Sequence, residues 1–292
     1  MYKGLSVILP VYNEGNSIIP VLRDIESVLK TIPLEHELIV VNDGSTDSTA
    51  VQLHDCSLSG LSVFKHERNE GYGAALKTGL THARYENVVI VDADGSYPVE
   101  LIPKLVAEIN DSDMVVGARI GKNVKMSFLR RLAKGMLTSL ARYLSGKDIP
   151  DLNSGLRAMR KEAVIRQLDI LPDGFSFTST ITIAMLASGN RIKYIPIDYY
   201  ERVGKSKIRP FRDTINFMQL IIRTATYFSP LRVFVPISLF FFFLSIIAVL
   251  HRIVFRGGLG VTAVILFVTA IQLLSIGILA DVVLKKKSNK SD

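Results

Sequence analysis

The sequence predicts an α/β fold, a mostly parallel sheet with helices on both faces, followed by a pair of membrane-crossing helices. Three observations predict it. Short apolar runs alternate with helical apolar stripes through the first two hundred residues or so, acidic and glycine-containing motifs fall just after those runs, and two long uncharged stretches lie near the C-terminus. The composition agrees. Thirty-five Lys+Arg against 27 Asp+Glu leave a formal charge of +8, yet 48% of the 292 residues are hydrophobic and the mean hydropathy is +0.30. That is too apolar for an ordinary soluble domain, and 21% charged residues exclude a disordered chain. Cys56, the single cysteine, excludes an internal disulfide and a Cys-rich zinc module.

In chain order, Leu5 to Pro10 reads as a strand, and Ile18, Val21, Leu22, Ile25, Val28 and Leu29 form the apolar stripe of a helix. Leu38 to Val41, Leu61 to Phe64, Val88 to Val91 and Met114 to Val116 repeat the strand signal. Helical patterns occupy Ala74 to Ala83 and Leu101 to Ile109, and Ser45 to Leu53 begins with capping residues. Sheets of this kind bind ligands at the carboxyl ends of their strands, which is where the motifs fall.

After the first strand comes Pro10-Val11-Tyr12-Asn13-Glu14, an aromatic and a carboxylate able to flank a base and hold a ribose, or simply to turn the chain. After the second comes Asn42-Asp43-Gly44-Ser45-Thr46-Asp47. There Asp43 can accept from a nucleobase N–H, or Asp-Gly can turn the chain while Ser45 or Thr46 caps the next helix. Gly71 and Gly73 lead into a helix and could let backbone approach a phosphate. Leu76 breaks the G-x-G-x-x-G fingerprint, however, and Tyr199 stands where the first glycine of a P-loop before Gly204-Lys205-Ser206 would be.

The most informative motif follows Val88 to Val91: Asp92-Ala93-Asp94-Gly95-Ser96-Tyr97-Pro98. Two carboxylates two residues apart at the end of a buried strand repel unless a cation or water screens them. Hard oxygen ligands suit Mg2+ or Mn2+, which would also neutralise a diphosphate. Between Arg119 and Lys147 lie eight basic residues and no acidic one, with Leu129, Leu132, Met136, Leu140 and Tyr143 at helical spacing. This predicts a basic amphipathic helix suited to an anionic membrane surface. A second acid-free run contains Arg202, Lys205, Lys207, Arg209 and Arg212. With a membrane anchor following these runs, lipid phosphate and diphosphate are the expected anions and nucleic acid is not.

Val233 to Leu250 is uncharged over a length of about 27 Å as a helix, and Leu259 to Ala280 over about 33 Å, both close to the hydrocarbon thickness of a bilayer. With only His251 to Gly258 between them they form a hairpin. Arg223 and Arg232 before it and Lys285, Lys286, Lys287 and Lys290 after it outweigh Arg252 and Arg256 in the turn, which places both termini in the cytoplasm. The first thirty residues, with Pro10, Glu14, Arg23 and Asp24, are no signal peptide. The expected organisation is a cytosolic domain over 1–208, a juxtamembrane amphipathic helix over 209–230, two transmembrane helices over 231–284 and a basic tail over 285–292.

Taken in order, LSVILPVYNE, VVNDGSTD, NEGYGAALKTG, VVIVDADGSYPVE, DLNSGLRAMRKE, ERVGKSK and SPLR make the chain resemble, over nearly its whole length, the membrane-anchored polyprenyl-phosphate sugar transferases of glycosyltransferase family 2. The resemblance implies a GT-A fold. In it Pro10, Val11, Tyr12, Glu14 and Asp43 contact the nucleotide, with Gly73 beside it, and Asp92 and Asp94 hold Mg2+ or Mn2+. Arg119, Arg131, Arg202 and Lys205 face phosphate groups, and Asp151 to Arg157, including Ser154, borders the acceptor. Asn42 stands where such proteins usually have an aspartate, and Ser96-Tyr97 replaces a common Gln-His, which makes Ser96 a poorer metal ligand.

The implied reaction moves a sugar, with inversion, from a nucleotide-sugar donor to a polyprenyl phosphate at the membrane, with Asp94, Arg202 and Lys205 stabilising the leaving diphosphate and Asp151 positioning or deprotonating the acceptor. A transferase acting on a hydroxyl acceptor and a non-catalytic membrane scaffold are the alternatives. The sugar, the base, the polyprenol and the oligomeric state, a homo-oligomer included, stay open.

Overall fold

The computed structural model describes residues 2–120, 139, 142, 143, 146, 148–174, 176–200, 222, 226, 230–255 and 260–288. Seven strands form one sheet: β1 (Tyr2–Val11), β2 (His36–Asn42), β3 (Leu61–Lys65), β4 (Tyr85–Ile90), β5 (Met114–Ala118), β6 (Arg157–Arg160) and β7 (Ile192–Pro196), in the order β3-β2-β1-β4-β6-β5-β7. All pairings are parallel except those of β6, which runs antiparallel between β4 and β5. The expected strands are thus present. β6 and β7 were not expected; the four residues of β6, with an arginine at each end, carry no strand periodicity.

The sheet is buried on both faces, so its strands read as continuous apolar runs. Val7, Leu9, Val89 and Val115 face a core with α1 (Ile18–Leu29) and α4 (Ile102–Ala107). Ile8, Val88, Ile90, Met114 and Val116 face the opposite core, with α3 (Tyr72–His82), α5 (Lys161–Ile165) and α6 (Phe177–Ala187). The α1 stripe sits at the register its spacing predicts. The helix after β2, α2 (Thr49–His54), starts later than expected, since Asp47 rather than Ser45 or Thr46 accepts from the Thr49 amide, at 3.0 Å.

β1, β2 and β3 proceed in one direction across the sheet, and β4 returns to the other side of β1. The chain therefore reverses its winding between β1 and β4, and a crevice opens at their carboxyl ends, the usual ligand position in a sheet of this kind.

Two helices close the described chain, α7 (Pro230–Phe255) and α8 (Val261–Ser288). Each contains a segment long and apolar enough to cross a membrane. They are not the core of a water-soluble body, since Phe240, Phe243, Ile247 and Leu250 stand 57–61% exposed. The two helices anchor the chain in a membrane. They are stapled to each other by hydroxyls, Ser238 Oγ donating to the Ala270 carbonyl at 2.8 Å and Ser245 Oγ to that of Ala263 at 3.0 Å. α7 extends through His251 and Arg252, so the turn is shorter than the sequence suggests. Near its start Val233 packs on a small cluster of Ile149, Leu152, Ile183 and Leu186. The expected basic helix between Arg119 and Lys147 and the juxtamembrane helix lie almost wholly outside the described residues.

The glycines before α3 serve packing rather than phosphate. A Cβ on Gly73 would lie 2.1 Å from the Pro172 carbonyl oxygen, and Gly71, at φ +112°, places its own 2.4 Å from that of Asp173. The Asp173 carbonyl accepts from the Ala74 amide at 3.0 Å, and Lys77 Nζ donates to the Asp173 carboxylate at 2.6 Å. The start of α3 is thus covered by the 172–174 segment, which corrects the expectation that Gly73 borders the nucleotide phosphates. Gly73→Ala should lower the stability of the sheet domain by about 1–3 kcal/mol, the usual cost of overpacking, seen as a reduced melting temperature of the purified protein.

Candidate functional site

The loops that follow β1, β2 and β4 are sewn together at the crevice. Asn13, held at φ +55°, a conformation that Asn tolerates, accepts from the Thr46 amide at 2.8 Å through Oδ1, while its own amide donates to Ser45 Oγ at 3.0 Å. Glu14 and Gly15 donate their amides to Thr49 Oγ1 and Asp47 Oδ2. Ser45 and Thr46, expected to cap a helix, instead brace the loop after β1. Asn42 accepts the Ser45 amide at 3.0 Å, a turn-forming role that an amide oxygen fills as well as a carboxylate would. From the other side, Ser17 Oγ donates to the Ala93 carbonyl at 2.8 Å, fastening the start of α1 to the acidic loop.

Pro10 and Val11 belong to β1 and are buried, Val11 within the core. Their side chains pack into the sheet domain. Tyr12 and Glu14 are half-buried at its rim. Asp43 is 2% exposed. Its Oδ1 accepts from His66 Nδ1 at 2.7 Å and the Glu70 amide at 2.9 Å, and its Oδ2 from the Gly71 amide at 2.9 Å. It therefore secures the 66–71 loop as well as facing the end of β2.

Asp92 and Asp94 sit at the exit of β4, Asp92 half-buried and Asp94 4% exposed. The Tyr72 hydroxyl donates to Asp92 Oδ1 at 2.8 Å. Burial, and then the charge of Asp92, raise that phenol well above its ordinary pKa, so it remains a donor. Asp94 Oδ1 accepts from the Ser96 amide at 3.0 Å and the Ser96 hydroxyl at 2.5 Å. Ser96 is fully buried and acts as a brace for Asp94, not as a weak metal ligand. Backbone at Gly155 closes on the other side of Asp92, where a Cβ would fall 2.4 Å from Oδ2.

The donor chemistry fits a hard divalent cation. Among the described residues no group of three or more His, Cys, Asp or Glu forms a cage. An ion on Asp92 and Asp94 would complete its shell with substrate oxygens and water, as Mg2+ and Mn2+ habitually do.

The 151–157 segment is built around two buried charges. Asp151 is fully buried and accepts from Arg119 Nε at 2.7 Å, Arg119 Nη2 at 3.0 Å, the Arg119 amide at 2.9 Å and the Asn153 amide at 3.2 Å. This bidentate pairing engages both oxygens of the carboxylate expected to position or deprotonate the acceptor. Arg157 is also fully buried, bonding the Leu152 and Ser154 carbonyls and Thr182 Oγ1 at 2.6–2.8 Å, and burial lowers its pKa. Ser154, fully buried, donates to the Gly117 carbonyl. Arg157 and Ser154, in the segment expected to border the acceptor, thus fold the loop from beneath.

Arg119 keeps 16% of its side chain exposed and lies 5.2 Å from the centre of the Tyr199 ring. Tyr199 in turn meets Tyr97 edge-on at 5.3 Å, and the Tyr97 hydroxyl accepts the Gly155 amide at 2.6 Å. The Tyr200 amide donates to the Ser96 carbonyl, which ties Tyr200 to the acidic loop. Arg131, Arg202 and Lys205 lie outside the described residues. Sequence reasoning missed Tyr72, His66 and Tyr97. Their partners are 12 to 58 residues away, and no local pattern marks them.

Comparison with known proteins places this geometry among relatives. Residues 6–168 match the model of glycosyl transferase family 2, and residues 229–284 that of the GtrB C-terminal hairpin. The undecaprenyl-phosphate 4-deoxy-4-formamido-L-arabinose transferase of Klebsiella pneumoniae is 29% identical over 293 residues, covering 96% of this chain and 88% of that protein. Among solved structures, glucosyl-3-phosphoglycerate synthase of Mycobacterium tuberculosis in complex with phosphoglyceric acid superposes with a TM-score of 0.57 at 24% identity, over 77% of this chain and 79% of that one. The same enzyme with Mn2+, uridine-diphosphate and phosphoglyceric acid gives 0.59 at 22%, over 76% and 78%. These neighbours establish the GT-A fold. The family match runs from within β1 to beyond α5, more than half of the chain, and by it the chain belongs to glycosyl transferase family 2.

Proposed function

We propose that the chain transfers a sugar, with inversion at the anomeric carbon, from a nucleoside-diphosphate sugar to a polyprenyl monophosphate at the cytoplasmic face of a membrane. The observation that carries this reading is the state of Asp151. A hydroxyl acceptor must lose a proton as it attacks, and the carboxylate that would take it is locked to Arg119. A phosphate monoester, with a second pKa of about 6, arrives as an oxyanion and needs no base. The membrane hairpin and the activity of the Klebsiella relative support the same acceptor class, with dolichyl and undecaprenyl phosphate as the two prenyl types.

In this mechanism an acceptor phosphate oxygen attacks the anomeric carbon, the bond to the β-phosphate breaks, and the nucleoside diphosphate leaves. A divalent ion, Mg2+ or Mn2+, supplies charge stabilisation to the departing diphosphate when bound at Asp92 and Asp94. The chain's own residues set the geometry. Tyr72 and Ser96 fix the two carboxylates, Tyr12 and Glu14 flank the nucleoside, and Arg119 presents its guanidinium edge toward the acceptor side. Arg131, Arg202 and Lys205 add the cationic charge that two phosphate-bearing substrates require. The excess of Lys and Arg before and after the hairpin supports cytoplasmic placement of the sheet domain and both termini, with the domain limits read from the sequence.

The test is product analysis by mass spectrometry, with the purified chain given a panel of nucleotide sugars and either a polyprenyl phosphate or a neutral lipid alcohol. Product on the phosphate alone is expected, and product on the alcohol alone would overturn the reading. Asp94→Ala should lower kcat by about a hundredfold or more while membrane extraction and circular dichroism stay unchanged. Gly155→Ala, which drives a methyl group into Asp92, should cost about a hundredfold in turnover with little loss of stability. Wild-type rates in that variant would show that the Gly155 approach is not needed.

A further inference from the structure

The hydrogen bonds around Asp43 carry more than loop closure. A carboxylate offers about four acceptor positions. Two on Oδ1 are filled by His66 Nδ1 and the Glu70 amide, and one on Oδ2 by the Gly71 amide. Among the described residues one acceptor position is left, on Oδ2. Because a carboxylate can only accept, His66 Nδ1 donates to Asp43, and Nε2 shares a hydrogen bond with the Thr78 hydroxyl at 2.9 Å. The imidazole is pinned at both nitrogens and is only 11% exposed, so it does not swing aside to release Oδ1.

We propose that His66 is a specificity-determining residue: by occupying Asp43 Oδ1 it leaves a single acceptor for the donor's base, and so selects uracil over guanine. Uracil presents one ring N–H, flanked by two carbonyls, and one acceptor satisfies it. Guanine presents a ring N–H and an adjacent amino group, which together call for both oxygens of a carboxylate. Here the second donor would be desolvated without a partner, and buried unpaired donors are what sites built on hydrogen bonds reject most strongly. Cytosine and adenine place a ring-nitrogen lone pair where the N–H of uracil would be, against the negative oxygen. This inference rests on the nucleotide-sugar reading and on Asp43 as the base contact, and it narrows the donor to a uridine-diphosphate sugar.

Calorimetric titration of the full-length chain in detergent, with Mn2+ present, measures binding of UDP, GDP, CDP and ADP. UDP is expected to bind at least about tenfold more tightly than each of the others. His66→Ala, which returns an acceptor position to Oδ1, should reduce the UDP-to-GDP preference by at least about fivefold. His66→Asn, whose amide can donate from a position close to that of Nδ1, should restore most of it. GDP binding as tight as UDP in the wild-type chain would overturn the proposal, and the wild-type panel decides it even if the variants fold poorly. An unchanged preference in a folded His66→Ala protein would remove His66 from the role. Failure of every nucleotide to bind would instead overturn the transferase reading and this inference with it.

Discussion

Two like charges separated by one residue at the end of a buried strand are the constraint around which the site is arranged. Asp92 and Asp94 repel each other, and the fold answers with neutral donors. The Tyr72 hydroxyl engages Asp92, while the Ser96 hydroxyl and amide engage Asp94. A lysine or arginine in those places would quench the pair and compete with any cation. Among the described residues, hydrogen-bond donors without charge orient oxygens of both carboxylates. The requirement extends outward, because Tyr72 can reach Asp92 only if α3 begins where it does, under the 172–174 segment.

A second level of organisation holds the opposite wall. The Arg119–Asp151 pair and the isolated Arg157 are charges removed from water, which is costly unless every polar hydrogen finds an acceptor. Arg157 meets much of that demand with two loop carbonyls, a threonine hydroxyl and the Met114 sulfur rather than with a carboxylate. The loop is thereby folded around the guanidinium, with Gly155 brought against Asp92 and its amide against Tyr97. Electrostatics that in isolation would destabilise the protein are spent on the shape of the wall.

Much of this was legible in the sequence, for physical reasons that differ from part to part. The α1 stripe and the buried strands follow from periodicity and continuous apolarity, and the Asp92–Asp94 motif from its place after a strand. The transmembrane pair follows from length and absence of charge. β6 was not legible, because its pairing is antiparallel, short and dictated by β4 and β5. Asp151, Ser154 and Arg157 were placed at the acceptor by the resemblance of their segment, and their burial is a property of the assembled fold that no local pattern carries. Gly73 resembled a phosphate-binding glycine because close backbone approach has the same signature whether the visitor is a ligand or another stretch of chain.

The contact of Val233 with Ile149, Leu152, Ile183 and Leu186 has a mechanical meaning. Val233 lies in the first turn of α7, within about 5 Å along the axis of its start, and Leu152 is the immediate neighbour of Asp151. The membrane tether is therefore bolted to the wall of the reaction crevice instead of hanging from a slack leash. The height of that wall above the bilayer surface is set by side-chain packing.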